Sequence, residues 1–203
     1  MAADVYWKGK PAGVLTLQVY GDHNLLNALG AMAIGMECGL AFEGMEEMLY
    51  GFRGAHRRLE YIGEAGGVRF YDDYAHHPTE IKATLSAARY IGARRMLVLY
   101  QPHRYTRTQL LADGFGKAFG EADELVLLPV YSAGEDPIAG VGADLIADKV
   151  MDHQGRRPAV MENFDEACTL AAGMAAPGDM ILTMGAGNVR KLGEMLLDRI
   201  SGK

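Results

Sequence analysis

Arg95-Met-Leu-Val-Leu-Tyr100, running directly into Gln101-Pro-His-Arg-Tyr-Thr-Arg-Thr108, decides the fold. The first six residues carry a continuous apolar run of the kind buried on both faces in a parallel sheet. The next eight turn polar and basic where such a strand would end. Upstream, Leu59 to Gly63 and Val68 to Tyr71 read as a hairpin-like pair joined by the turn-forming Glu64-Ala-Gly-Gly67. Pro78 then opens a helix with Ile81, Leu85 and Ala88 on one face. Downstream the pattern gives a helix from Thr106 to Phe119, strand Glu124 to Leu128, helix Val141 to Asp152 and strand Pro158 to Met161. Helix Asp165 to Gly173, strand Asp179 to Thr183 and helix Val189 to Ile200 complete it. Strand and helix alternating through short connections predict an α/β fold, an open and mostly parallel sheet with helices on both faces.

The first fifty-odd residues stand outside that rhythm. A strand from Val14 to Val19 and helices His23 to Gly35 and Glu43 to Phe52 are too little to bury a core of their own. Residues 1–53 therefore read as the end of a preceding domain and 54–203 as a second, whole domain. At about 150 residues per domain, 203 residues hold one domain and part of another, so the chain is expected to be a fragment. No internal repeat or low-complexity stretch appears.

Hydrophobic residues make up 49% of the chain and charged residues 23%, and no apolar run approaches the ~20 residues of a membrane helix. No membrane association is expected. The start, Met1-Ala-Ala-Asp-Val-Tyr-Trp-Lys-Gly-Lys10, lacks the pattern of a secretory leader, which points to the cytoplasm. Cys38 and Cys168 suit neither a disulfide framework nor a metal knuckle. A net charge of −6 argues against nucleic acid as a partner, yet the charge is unevenly spread. From Arg53 to Arg107 ten Lys/Arg face five Asp/Glu, a local +5 that leaves −11 elsewhere. That window suits an anionic ligand, or is simply a solvated basic face.

Asp72-Asp-Tyr-Ala-His-His-Pro-Thr-Glu80 joins a strand to a helix with two carboxylates, two imidazoles and a phenol. Adjacent carboxylates are costly unless cations or ligand hydroxyls share them. An ordinary polar cap and a metal site are the alternatives. In the 101–108 segment, Arg104 and Arg107 stand three apart, so in a first helical turn they would share a face and could grip one carboxylate or phosphate. Surface arginines capping a loop are the plainer reading. Arg57-Arg58 and Gly185-Ala-Gly187 are weak signals, the latter lacking the third glycine of a dinucleotide loop. Asn24 and Asn27 fall on one helical face, aimed at a ligand edge unless Asn24 is an N-cap. No G-x-x-x-x-G-K-[ST] occurs, so ATP chemistry would need a phosphate loop supplied from elsewhere.

In this order, G-x-HN-x-x-NA at 21–28, RR-x-E at 57–60, DDYAHHPTE at 72–80, QPHRYTRT at 101–108, Y-x-AGE at 131–135 and TMGAG at 183–187 resemble the Mur ligase family. The resemblance covers essentially the whole chain and is greatest to the members that join L-alanine to UDP-N-acetylmuramate in peptidoglycan synthesis. It implies the end of a central ATPase domain followed by a Rossmann-like C-terminal domain. It further implies an ATP- and Mg2+-dependent amide ligase of which this part alone is inactive, the magnesium ligands and phosphate loop lying on a preceding portion. By resemblance Asn24 and Asn27 contact adenine, Asp73 the ribose and Arg58 the ATP phosphates. Tyr74, His76, Arg104 and Arg107 face the alanine end of the substrate. Arg58, His76, Arg104 and Arg107 are the candidate catalytic residues. Asn188 departs from the Asp expected after TMGAG. The murein-peptide recycling ligase of the same family is the nearest alternative, lacking QPHRYTRT. A stand-alone nucleotide-binding module and a metal-dependent hydrolase using Asp72, Asp73, His76 and His77 are readings from other classes.

Overall fold

The computed structural model describes residues 1–202. Its contacts divide the chain into two compact units, Met1–His56 and Arg57 onward. Among the described residues no helix is long and apolar enough to cross a membrane.

In the first unit β1 (Ala2–Trp7) pairs antiparallel with β2 (Lys10–Thr16), where the sequence reading had a single strand at 14–19. Lys8 and Gly9 both take left-handed φ, 48° and 79°, the conformation of a two-residue hairpin turn. Asp4 and two small alanines leave β1 without a sustained apolar run, which hid it from the sequence reading. Helices α1 (Asp22–Glu37) and α2 (Phe42–Gly51) follow. Against the sequence expectation, this segment does bury a small core, in which Val5, Leu15, Leu17, Ala28, Met32 and Met45 lie between helices and a hairpin whose first strand the sequence reading had missed. Leu26 and Ile34 on α1 nevertheless stay exposed.

In the second unit β3 (Glu60–Ala65) and β4 (Val68–Asp73) form the expected hairpin, turning through Gly66 and Gly67 with φ 58° and 75°. Then come α3 (Pro78–Tyr90), β5 (Met96–Tyr100), α4 (Tyr105–Leu110), α5 (Ala112–Gly116), β6 (Glu124–Leu127) and α6 (Ala143–Gln154). β7 (Ala159–Val160), α7 (Phe164–Met174), β8 (Met180–Met184) and α8 (Arg190–Ser201) complete the unit. The sheet order is β3-β4-β8-β5-β6-β7, parallel throughout except for the β3–β4 pair.

Every residue of β5 is buried, and successive side chains point to opposite faces. Met96, Val98 and Tyr100 enter the layer that holds Ile81 and Leu85 of α3, Phe115 of α5 and Ile146 of α6. Leu97 and Leu99 enter the layer of Ala167 and Ala171 on α7 and Leu192 and Leu196 on α8. Helices thus cover both faces. The helix expected over 106–119 is broken at Leu111 (φ −108°). Gly116 lies so close to the Lys149 carbonyl that a Cβ there would sit 2.6 Å from it, so α5 is docked tightly on α6 rather than continuing α4.

β8 enters last and inserts between β4 and β5. The helices after β4 and β5 pack on one face and the helix after β8 on the other. A crevice outside the carboxyl ends of these three strands is where such sheets place ligands.

Candidate functional site

The two distinctive motifs meet at that edge. Asp72 and Asp73 end β4, Gln101 follows β5, and Gly185 follows β8. Alternation along β4 sends the adjacent carboxylates to different partners. Asp72, fully buried, accepts from Arg57 Nε and Thr183 Oγ1, both at 2.7 Å. Asp73, 3% exposed, accepts from the backbone N–H groups of Leu59 and Ala75, each at 2.7 Å. Burial pushes the Asp73 carboxyl above the usual carboxylate range, opposed by those two N–H groups and the Arg58 charge. The like-charge problem posed by Asp72-Asp73 is therefore met by one guanidinium and two amides of the protein itself.

His77 is the N-cap of α3, its ring accepting from Thr79 N at 3.3 Å, while Glu80 Oε2 takes the backbone N–H groups of His76 (3.0 Å) and His77 (3.2 Å). Burial raises the Glu80 carboxyl, but these bonds and the charges of His76 and Arg58 bring it below its ordinary value. His76 Nδ1 lies 3.0 Å from the Tyr74 carbonyl. A carbonyl only accepts, so Nδ1 donates that bond. Asp72, Asp73, His76 and His77 thus do not converge. Among residues 1–202 no three His, Cys, Asp or Glu side chains are grouped to hold a metal ion.

From the other motif, His103 stacks on Tyr131 (5.6 Å, 14°) and lies 5.9 Å from the His76 ring, which meets Tyr74 edge-on at 5.5 Å. Partial burial and then the nearby Arg107 guanidinium hold the His103 imidazole below its usual pKa. Arg107 Nη1 is 3.1 Å from His103 Nδ1, which receives its hydrogen bond. Arg104 is not in the helical turn. It is the N-cap of α4 at φ 72°, half exposed, with Nη1 4.0 Å from Glu135. Glu135 caps the start of α4 through Thr106 Oγ1 (2.6 Å) and Thr106 N (3.1 Å), and the Thr106 hydroxyl chiefly holds its carboxyl low.

Arg58 is exposed and makes no side-chain hydrogen bond or ion pair among the described residues, whereas Arg57 is tied inward. Asn24 and Asn27 both lie on α1 of the first unit. Gly21 is the N-cap there, and Asn24 instead donates to the Tyr20 carbonyl at 2.8 Å. Arg57, Gln101 and His103 are site-edge residues that the sequence reading did not select, although two of them stand inside QPHRYTRT.

These features carry the signature of a known class. The profile described as "Mur ligase, glutamate ligase domain" matches residues 57–187, and the chain belongs to the Mur ligase family. Within it, the chain is 48% identical over 199 residues to the UDP-N-acetylmuramate–L-alanine ligase of Pelotomaculum thermopropionicum and 46% identical to that of Koribacter versatilis. Each match covers 98% of this chain, which spans 43% and 42% of the length of those relatives. The crystal structure of the Thermotoga maritima UDP-N-acetylmuramate–alanine ligase superposes with a TM-score of 0.82 at 28% identity, covering 99% of this chain and 43% of that one. A murein peptide ligase from Psychrobacter arcticus shares the fold, with a TM-score of 0.67 at 24% identity, covering 94% of this chain and 39% of that one.

Proposed function

We propose that this chain is the C-terminal portion of a cytoplasmic, ATP-dependent ligase that joins L-alanine to UDP-N-acetylmuramate in peptidoglycan synthesis. Residues 1–53 would be the end of its central ATPase domain and 54–203 its C-terminal domain, a boundary three residues from the division between the two compact units. The observation that carries the reading is the meeting of DDYAHHPTE and QPHRYTRT at one sheet edge, with His76 and His103 5.9 Å apart. The identity to alanine-adding relatives over 98% of the chain supports it. Exposed Leu26 and Ile34 on α1, whose other side already packs in a core, suit a helix covered by more of its own domain.

In the proposed reaction the muramate carboxylate takes the γ-phosphoryl group of ATP, and the alanine amine displaces phosphate from the resulting acyl phosphate. Mg2+ and the phosphate loop would be held by the preceding portion, where the metal offsets phosphate charge. This chain's own residues supply the rest. Asn24 and Asn27 serve the adenine edge. Arg58, exposed and unbonded, extends to the phosphates. Asp73, each of whose oxygens already takes one backbone N–H, keeps lone pairs with which to accept a ribose hydroxyl. Arg107 and Arg104 clamp carboxylate at the alanine end, and Tyr74 walls it. His76, which donates from Nδ1 to the Tyr74 carbonyl, would in its neutral form take the proton of the attacking amine at Nε2. Developing negative charge meets the guanidinium groups of Arg58, Arg104 and Arg107.

The test is kcat/KM of the ligase carrying this chain in Arg104→Lys and Arg107→Lys variants. Losing one arm of a carboxylate clamp should cost about 2–4 kcal/mol, roughly 30- to 1,000-fold, for L-alanine or UDP-N-acetylmuramate, because Lys lacks the planar fork. Near wild-type values for both substrates with weakened ATP alone would refute the assignment.

A further inference from the structure

We propose that Arg57 is a positioning residue that fixes the neighbouring Arg58 at the phosphate end of the site, and that the Gly185–Gly187 loop is built to grip the Arg57 guanidinium rather than a phosphate. This rests on the reading that Arg58 reaches the ATP phosphates.

The tripeptide Arg57-Arg58-Leu59 has an unusual backbone. Arg57 (φ 57°) and Leu59 (φ 44°) are both left-handed non-glycine residues, on either side of Arg58. Such conformations persist where surrounding contacts over-determine them, and they concentrate at functional sites. The contacts are present here in full. Arg57 N donates to Glu60 Oε2 at 2.7 Å, and its carbonyl accepts from Tyr74 N at 2.7 Å. Its Nε bonds Asp72 at 2.7 Å, Nη1 bonds the Gly187 carbonyl at 3.0 Å and Nη2 the Gly185 carbonyl at 2.7 Å. The Tyr74 ring lies 5.1 Å from the guanidinium carbon. Leu59 N is held by buried Asp73. Arg58 alone is left pointing to solvent.

The glycine loop explains itself in the same terms. A phosphate-cradling loop turns N–H groups toward its ligand, but here two carbonyls face a cation. The reverse side of the loop is pressed against the 101–131 segment. A Cβ on Gly185 would sit 2.6 Å from the Gln101 carbonyl, and one on Gly187 would strike Gln101 Oε1 and lie 2.7 Å from Tyr131 Cγ. Gln101 Nε2 donates to Asn188 Oδ1 at 3.0 Å, so Asn188 fastens the loop's end. Gln101, the loop and Arg57 form a continuous support, and its outward product is a cation with a fixed main chain. A long, flexible guanidinium loses less freedom on engaging phosphate when its backbone is already immobile.

Amide hydrogen exchange on this chain and turnover of the ligase carrying it test the proposal together. Arg57→Lys keeps the charge beside Asp72 but cannot span both carbonyls. Protection of Leu59 N should fall at least tenfold, while the β5 and β8 amides keep wild-type protection and Arg58→Ala leaves Leu59 unchanged. If Arg57→Lys does not fold, Glu60→Ala should loosen the same amide from the backbone side. In the ligase, Arg57→Lys should lower kcat at least tenfold with KM for L-alanine unchanged, and Arg57→Lys/Arg58→Ala should be no slower than Arg58→Ala alone. Leu59 protection within twofold of wild type, or single-variant losses that multiply in the double variant, would overturn the proposal. Undiminished turnover in Arg58→Ala would overturn the functional reading beneath it, and is distinguishable because the exchange result does not depend on that reading.

Discussion

Replacing Asp72 by Ala should destabilise the second unit by about 3 kcal/mol. The carboxylate is fully buried and its Oδ2 takes Arg57 Nε at 2.7 Å and lies 3.9 Å from Arg190 Nη1. Removing one member of a buried ion pair typically costs ~3–5 kcal/mol, because the other charge is stranded. Three features place this case at the low end. Arg57 keeps its bonds to the Gly185 and Gly187 carbonyls, and the Thr183 hydroxyl, which loses Asp72, has the Tyr71 carbonyl at 3.3 Å as a second acceptor. Arg190 retains Glu60 at 2.8 Å and Glu194 at 3.0 Å. For a unit of this size about 3 kcal/mol corresponds to a fall of roughly 6–12 °C in Tm. Calorimetry of the 203-residue chain reads that shift, and a double-mutant cycle with Arg57→Ala reads the coupling. A loss under about 1 kcal/mol, or additivity within about 0.5 kcal/mol, would mean that the pair behaves like a surface contact and that the account of Asp72 is wrong.

Gly187→Ala should cost about 1–3 kcal/mol and disturb the His103–Tyr131 stack, since the new methyl meets Gln101 Oε1 and the Tyr131 ring. Urea midpoints and the aromatic NMR signals of Tyr131 check it, and an unshifted midpoint counts against the close approach. The depressed His103 pKa means that the folded state prefers the neutral ring. Its contribution is present above the unfolded value of about 6.5 and is lost as pH falls through the folded value. NMR titration should give a midpoint below 6.5 that rises in Arg107→Ala, whereas a midpoint at or above 6.5 in the unaltered chain contradicts the local electrostatics. For Asp73 the sign is opposite to that of an ordinary paired carboxylate. Its raised pKa gives stability present below about pH 4 and lost as pH rises through the folded value. The difference in Tm between the unaltered chain and Asp73→Asn, followed from pH 3 to 8, should show that direction.

The parallel sheet was legible because β5 and β8 are buried on both faces and so are apolar but for Thr183, whose hydroxyl is bonded to Asp72. The β3–β4 hairpin was legible because Gly66-Gly67 can take the turn's left-handed φ. What escaped depends on distant partners. The break between α4 and α5 is tied to Gly116 meeting the Lys149 carbonyl, a contact with no trace in the local pattern. Arg57 and Arg58 are identical in type, and only the positions of Asp72, Gly185 and Gly187 decide which one turns inward. The Asp72-Asp73 pair was noticed as an electrostatic cost, but its solution lies in Arg57 and in backbone amides that sequence does not reveal. Arg104 looked helical from its spacing to Arg107. Its left-handed φ, with Arg104 N donating to the Tyr131 carbonyl at 2.8 Å, puts it at the cap.

The central claim is that this chain serves an alanine-adding ligase, and amino-acid-dependent phosphate release tests it most directly. The ligase carrying this chain is supplied with ATP, Mg2+ and UDP-N-acetylmuramate, then with either L-alanine or a murein tripeptide. Phosphate release that requires L-alanine and is lost at least thirtyfold in Arg107→Lys is the predicted result. Release driven by the tripeptide and indifferent to L-alanine would contradict the account and assign the chain to a peptide-recycling ligase of the same family.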